Sequence, residues 1–119
     1  MLKHIKIVNY NNDHGICFYI QNDEVLELGE RMNEVCEDAY MNGYNWEALI
    51  NCYLRENAPD LLDGLAPDPE AGMYAAYYSG TPDNEGRAKR LADIIAFLLN
   101  DEDKLFGFLK AHESDIEWD

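Results

Sequence analysis

Two carboxylates stand close together in the run Asp68-Pro69-Glu70-Ala71-Gly72. Asp68 and Glu70 could act as an acid and a base, or together bind a hard cation such as calcium. Pro69 lies between them and restricts the backbone, which makes the run a rigid turn. The carboxylates of such a turn can accept backbone N–H groups. We therefore favour a structural role for this run over a hydrolase built on these two acids.

The other residues that could do chemistry form no catalytic or metal-binding pattern. The histidines lack a histidine or cysteine partner at metal spacing; they are His4, His14 and His112. His112-Glu113 resembles the start of a zinc-binding H-E-x-x-H helix, but Ile116 stands where the second histidine belongs. Neither serine lies in a nucleophile motif, and no glycine-rich phosphate loop is present. The sequence thus predicts no enzyme activity, no metal site and no cofactor.

The net charge excludes several kinds of partner. The chain has 24 acidic and 9 basic residues, which gives a formal net charge of −15. Solubility alone asks for a net charge of only about 2 to 8 in a small domain. A surface this negative repels nucleic-acid phosphates and anionic lipids, and it attracts cations. We therefore expect no binding to nucleic acid or to membranes, and we expect a basic protein as partner.

Cysteine usage and the lack of long apolar runs indicate a cytoplasmic protein. Cys17, Cys36 and Cys52 are odd in number, widely spaced and set among apolar neighbours, so they predict free thiols. The chain shows neither a signal peptide nor a segment apolar enough to span a membrane. Its 119 residues have the length of one domain, which we assign to residues 1–119.

Most of the excess acid lies in residues 23–70, which contain 13 acidic and two basic residues. Five of these acids recur, mostly at steps of three and four, opposite the apolar side of the first predicted helix: Glu27, Glu30, Glu34, Glu37 and Asp38. Like charges at that spacing oppose a helix by roughly a few tenths of a kcal/mol per pair. Two interpretations stay open, namely a solvated face and a binding face for lysine and arginine. Asp60 and Asp63, in the acidic loop that follows, form a second candidate contact.

These acids must be positioned by a chain of mixed α and β structure. A β-hairpin is predicted for residues 3–20, because two apolar runs flank the turn cluster at residues 11–15. Residues 73–78 are uncharged and aromatic, which predicts a third, internal strand. Strands that come mostly first, with helices between and after them, indicate an α+β fold. We expect the order ββααβαα, with one small antiparallel sheet packed against about four helices.

The helices are predicted from apolar residues at helical spacing. The stripe of the first consists of Val25, Leu28, Met32, Val35, Cys36 and Ala39. Gly43 is placed to end that helix, and Asn45 is placed to cap the second. A short helical turn is predicted for residues 61–65. The third helix has its stripe in residues 88–99, and Asp101 is predicted to cap the fourth.

Short motifs make the chain resemble a bacterial family. They are Gly43-Tyr44-Asn45-Trp46-Glu47, a helix that ends in Tyr53-Leu54, and Asp68-Pro69-Glu70-Ala71-Gly72 before an aromatic strand. On these residues the chain resembles immunity protein family 51, from polymorphic-toxin and contact-dependent inhibition loci. The resemblance implies an α+β fold and neutralisation of a cognate toxin domain that a neighbouring cell delivers. We interpret the motif residues as residues that hold the fold: Trp46, Asp68, Glu70 and Gly72.

Charge and resemblance together lead to one hypothesis for the function. The resemblance implies that many of the toxins are nucleases with basic clefts, and an inhibitor with a net charge of −15 suits such a cleft. The predicted toxin-binding residues are Glu27, Glu30, Glu34, Glu37, Asp38, Asp60 and Asp63. The protein is expected to be a monomer or a weak dimer. The alternative hypothesis is an acidic scaffold or a DNA-mimicking regulatory protein that binds another basic partner.

Overall fold

The strands and helices follow in the order that the sequence predicts. The structure is a computed structural model and describes residues 4–10 and 13–118. Its elements are β1 (Ile5–Tyr10), β2 (Asp13–Tyr19), α1 (Asp23–Val35), α2 (Gly43–Asn57), a 3-10 helix (Pro59–Leu62), β3 (Ala66–Pro67), β4 (Met73–Tyr78), α3 (Pro82–Asn100) and α4 (Glu102–His112). The α+β class is confirmed, and the short strand β3 is an addition to the predicted order. Lys3, Asn11 and Asn12 of the predicted hairpin lie outside the described residues.

The four described strands form one antiparallel sheet in the order β1-β2-β4-β3. The register places Ile16 of β2 opposite Ile7 of β1 and Ala76 of β4. The predicted pairing of the hairpin with residues 73–78 is therefore confirmed. β3 lies at the edge of the sheet, where Pro67 is tolerated because its missing N–H leaves no inner ladder bond unmade.

Helices α2, α3 and α4 close the core. α3 packs across β1, β2 and β4, while α2 packs against β4. Trp46 of α2 is buried, and its ring meets the ring of Phe18 edge-on, with the ring centroids 5.1 Å apart. An aromatic pair of this kind contributes about 0.5–1.5 kcal/mol beyond its buried area. α4 joins through the buried Leu105 and Leu109 and packs against the other three helices.

The predicted end of the first helix is wrong. α1 ends at Val35, although the apolar spacing continues through Cys36 and Ala39. Both of these residues are buried, but they are buried from an irregular segment rather than from a helix. Gly43, which was expected to end α1, instead begins α2.

The helix caps agree with the predictions in part. The N-cap of α2 is Asn42, whose side chain accepts the N–H of Asn45 at 2.9 Å, so the predicted cap at Asn45 is wrong by one turn. The predicted cap of α4 is confirmed, because Asp101 accepts the N–H of Lys104 at 3.2 Å. The 3-10 helix begins at Pro59, earlier than the short turn predicted for residues 61–65. None of the described helices combines the length and the apolar character that a bilayer crossing requires.

Candidate functional site

Helix α1 turns an acidic face to the solvent because its apolar side chains are buried on the other side. Val25, Leu28 and Met32 are buried in the core. The opposite side carries three of the predicted contact residues, all of them exposed: Glu27, Glu30 and Glu34. Residues three or four apart are neighbours on a helix surface, so these carboxylates form one continuous acidic surface.

This acidic surface continues past the helix on residues 36–41, hereafter the 36–41 loop. Glu37 and Asp38 lie on this loop, so the prediction that they extend the helical series is wrong. The Asn33 side chain donates to the carbonyls of Cys36 and Glu37, at 3.5 and 3.1 Å. These bonds offer the chain an alternative to another helical turn. Both acidic side chains remain exposed, and they line a recess with Glu113 and Ser114 just beyond the helix.

Three buried side chains hold the 36–41 loop against the rest of the protein. Cys36, Ala39 and Met41 are buried, while Tyr40 between the last two is exposed. The N–H of Ala39 donates to the carbonyl of Cys36 at 3.0 Å. Met41 has a φ of +54°, in the left-handed region that residues with a Cβ rarely adopt. These three side chains anchor the loop to the core.

Tyr40 is a surface residue that the sequence reasoning did not single out. The residue is 72% exposed, the highest value among the described large hydrophobic residues. It lies in the stretch that was predicted to end the first helix, so its direction could not be assigned from periodicity. The available signal was an aromatic residue that falls outside the apolar stripe, two residues after the acidic pair Glu37-Asp38.

Arg31, the basic residue of α1, is paired with an acid of another helix. Arg31 donates to the Glu102 carboxylate of α4 and forms an ion pair with it. This hydrogen bond, together with the charges of Glu102, Glu27 and Glu34, raises the pKa of the Arg31 guanidinium. Within the described part of the chain, the acids of this surface that have no ion-pair partner are Glu27, Glu30, Glu34, Glu37 and Asp38.

Asp60 and Asp63 lie elsewhere, at the corner between the 3-10 helix and α3, whereas α1 packs against α4. The Asp60 carboxylate accepts a hydrogen bond from Arg90 at 2.7 Å, which lowers the pKa of the Asp60 carboxyl. Arg87 donates to the main-chain carbonyls of both aspartates. The guanidinium of Arg87 also lies 4.4 Å from the centre of the Tyr78 ring. Asp60 and Asp63 therefore lie apart from the five predicted contact residues on α1 and the 36–41 loop.

The Asp68-to-Gly72 run makes its contacts through the main chain. The N–H of Asp68 donates to the carbonyl of Ala75, and that of Glu70 donates to Met73, each at 2.7 Å. Among the described residues, neither carboxylate accepts a hydrogen bond, so the expectation that these side chains cap the turn is wrong. No group of three or more metal-binding side chains occurs within residues 4–10 and 13–118. The run links β3 to β4 and contacts the start of α2 through its backbone.

The two motifs that carry the resemblance meet where α2 begins. The N–H of Gly43 donates to the carbonyl of Ala71 at 2.9 Å. A Cβ at Gly43 would lie 1.7 Å from the Glu70 carbonyl oxygen and 2.4 Å from that of Met73. Only glycine permits so close an approach of two backbones. At Gly72 the close neighbour is a side chain instead, since a Cβ there would lie 2.5 Å from a side-chain carbon of Gln21.

An exposed acidic surface attracts basic proteins and speeds their association. The model of the family Immunity protein 51 matches residues 5–114, a stretch that includes both motifs and the acidic surface. The chain belongs to the Immunity protein 51 family, and a family of this class is generally non-enzymatic. Neither a curated protein nor a solved structure matches the chain.

Proposed function

We propose that this immunity protein neutralises a cognate bacterial toxin domain by binding it through the acidic surface of α1 and the 36–41 loop. The observation that carries the proposal is a group of five exposed carboxylates that have no ion-pair partner among the described residues. Two acids outside this surface do have an arginine partner, since Glu102 pairs with Arg31 and Asp60 pairs with Arg90. A surface that the chain leaves unpaired attracts a partner of opposite charge.

The toxin domain is proposed to be basic and of nuclease type. A nuclease must hold phosphates, and lysine and arginine supply most of that attraction. Exposed carboxylates on a rigid helix present negative charge in the same way, so they can occupy the cleft and block it. A net charge of −15 also raises the rate at which such a basic domain is captured. Capture is proposed to take place in the cytoplasm, where the delivered toxin meets its substrate.

Asp60 and Asp63 are proposed as a second, weaker contact. The Asp60 carboxylate already accepts a hydrogen bond from Arg90 at 2.7 Å. A toxin cation would have to share or displace that partner, so the gain on binding is smaller than at an unpaired acid. We expect Asp60→Asn and Asp63→Asn to change affinity less than substitutions on α1.

The proposal is tested by measuring the association rate at several salt concentrations. The ligand is the toxin domain encoded by the gene next to that of this protein. The test variant replaces Glu30, Glu34 and Glu37 by glutamine. At low salt, we expect its association rate to fall about ten-fold, because electrostatic steering is lost. At high salt the difference should shrink, since screening removes the same attraction. The free variant should unfold at a slightly higher temperature, because Glu30 and Glu34 no longer repel each other one turn apart.

A matched control removes the same amount of charge from other surfaces. It combines Glu85→Gln and Asp93→Asn on α3 with Glu117→Gln near the end of the chain, all exposed positions. If α1 is the contact, the control should keep most of the wild-type association rate. Equal losses in both variants would mean that only the net charge matters, and this would defeat the proposed surface. If the adjacent toxin does not bind while another basic protein does, the scaffold or DNA-mimic alternative takes its place.

A further inference from the structure

A shallow groove separates α1 from the 36–41 loop. Its lining residues are Leu26, Gly29, Glu30, Asn33, Tyr40 and Met41. Leu26 and Tyr40 form its apolar walls, and these two residues are 48% and 72% exposed. The groove has a volume of about 240 Å³. Pockets for small molecules occupy roughly 300 to 1,000 Å³, so this groove is better suited to one long side chain.

Tyr40 is held in position although its side chain is exposed. Its neighbours Ala39 and Met41 are both buried, and its N–H donates to the Asp38 carbonyl at 3.1 Å. The positive φ of Met41 is a conformation that persists only where the surrounding structure enforces it, and such residues are concentrated at binding sites. An aromatic side chain on a fixed backbone loses little conformational entropy when a partner covers it.

Charge decides what the groove can accept. Glu30 lines it and has no ion-pair partner in the described part of the chain. Glu37 and Asp38, on the 36–41 loop, line a separate recess with Glu113 and Ser114. Apolar walls beside an acid fit the aliphatic stem of lysine or arginine, whose cationic head can then reach a carboxylate or the ring face. A second copy of this chain is a poor occupant, because two surfaces of the same negative charge repel each other.

We infer that Tyr40 is the aromatic anchor of the partner interface, and that the groove between Tyr40 and Leu26 receives an arginine or lysine side chain of the toxin domain. This inference rests on the proposed function, to which it adds the residue that sets the lifetime of the complex. Tyrosine is enriched among the few residues that dominate binding energy. Exposed carboxylates at an interface rim act mainly on the association rate. Substitution of Tyr40 should therefore raise mainly the dissociation rate, whereas substitution of the carboxylates should lower mainly the association rate.

Binding kinetics of the Tyr40→Ala variant with the same toxin domain test the inference. We expect its affinity to fall about thirty-fold or more, mostly through faster dissociation. Tyr40→Phe should retain most of the affinity, because the ring remains. Tyr19→Ala is the matched control, since Tyr19 is 45% exposed but lies on β2. The unfolding midpoints of all three variants should be close to that of the wild type, because these side chains are exposed.

The outcomes separate this inference from the proposal on which it rests. Wild-type affinity in Tyr40→Ala, together with slow association of the glutamine variant of α1, would overturn the inference alone. Absence of toxin binding by the wild type would defeat both. If Tyr40→Ala lowers the unfolding midpoint, the Leu26→Ala variant, on the opposite wall of the groove, replaces it in the test. A toxin complex of Leu26→Ala that dissociates as slowly as the wild-type complex would count against the groove. A wild-type dimer that Tyr40→Ala abolishes in sedimentation without toxin would show that a second copy occupies the groove.

Discussion

Replacing Gly43 by alanine adds one methyl group at the contact between α2 and the turn before β4. An ideal Cβ at this position would lie 1.7 Å from the Glu70 carbonyl oxygen and 2.4 Å from the Met73 carbonyl oxygen. Real Cβ atoms stay more than 3.0 Å from such atoms. The atoms in the way belong to the backbone, so they cannot rotate aside as a flexible side chain would. Either α2 or the turn has to move by more than an ångström.

The cost of that movement can be built from two contributions. Forcing extra atoms into a packed site costs about 1–3 kcal/mol. A shift of α2 also stretches the hydrogen bond from the Gly43 N–H to the Ala71 carbonyl, now 2.9 Å long, and losing it costs about 1 kcal/mol. The expected destabilisation is therefore about 2–4 kcal/mol. For a chain of 119 residues, 1 kcal/mol corresponds to about 4 °C, so Tm should fall by about 8–16 °C.

The same substitution at Gly86 gives a control of opposite sign. Gly86 lies inside α3, and a Cβ there would have no heavy atom within 4 Å. Alanine is favoured over glycine in a helix by about 0.5–1 kcal/mol, so Gly86→Ala should raise Tm by about 2–4 °C. Thermal unfolding followed by circular dichroism measures both variants, and urea titrations convert the shifts to free energies. A Gly43→Ala midpoint within about 2 °C of the wild type would refute the reasoning, as would equal shifts in the two variants.

Two other predictions concern α3 and the buried tyrosines. Arg87→Ala should lower the unfolding free energy by about 1–2 kcal/mol, because it removes the donor to two carbonyls at the 3-10 corner and the cation above Tyr78. Lys89→Ala, at an exposed position of the same helix, should change the urea-derived free energy by less than about 0.5 kcal/mol. Burial raises the pKa of Tyr78 to about 12 and also raises the pKa of Tyr74. The unfolded chain then releases tyrosine protons near pH 10 that the folded chain keeps, so stability should fall between about pH 10 and 12. Urea titrations across that range should show a shallower fall for Tyr78→Phe; an equal fall would contradict this assignment.

Elements with a long apolar pattern could be predicted from the sequence, whereas boundaries set by contacts could not. β4 was predictable because an uncharged aromatic run fits an inner strand. The end of α1 was not, because Cys36 and Ala39 keep helical spacing while the Asn33 side chain binds the backbone beyond the helix. β3, Ala66–Pro67, gives no pattern of its own and exists because it can pair with β4.

The site shows the same division between local pattern and distant contact. The acids of α1 were predictable as an exposed surface because they lie opposite an apolar stripe. Whether an acid has a cation beside it depends on residues far along the chain. Asp60 is bound by Arg90, 30 residues later, and Glu102 binds Arg31, 71 residues earlier. The exposure of Tyr40 follows from the burial of Ala39 and Met41 on both sides of it, which the sequence pattern alone does not give.

The buried motif residues and the residues proposed to bind toxin differ in their surroundings, although Gly43 follows Tyr40 by only three residues. Gly43 and Trp46 belong to the buried joint between α2, the following turn and the sheet. Glu30 and Tyr40 project outward. Motif substitutions such as Trp46→Phe should therefore lower stability and leave the toxin affinity of the folded protein near that of the wild type. Glu30→Gln and Tyr40→Ala should lower the toxin affinity and leave the stability near that of the wild type. The motif variants should then change the unfolding free energy alone, and the surface variants should change the binding free energy alone. Variants that change both free energies in proportion would mean that the motif residues and the binding surface are energetically coupled.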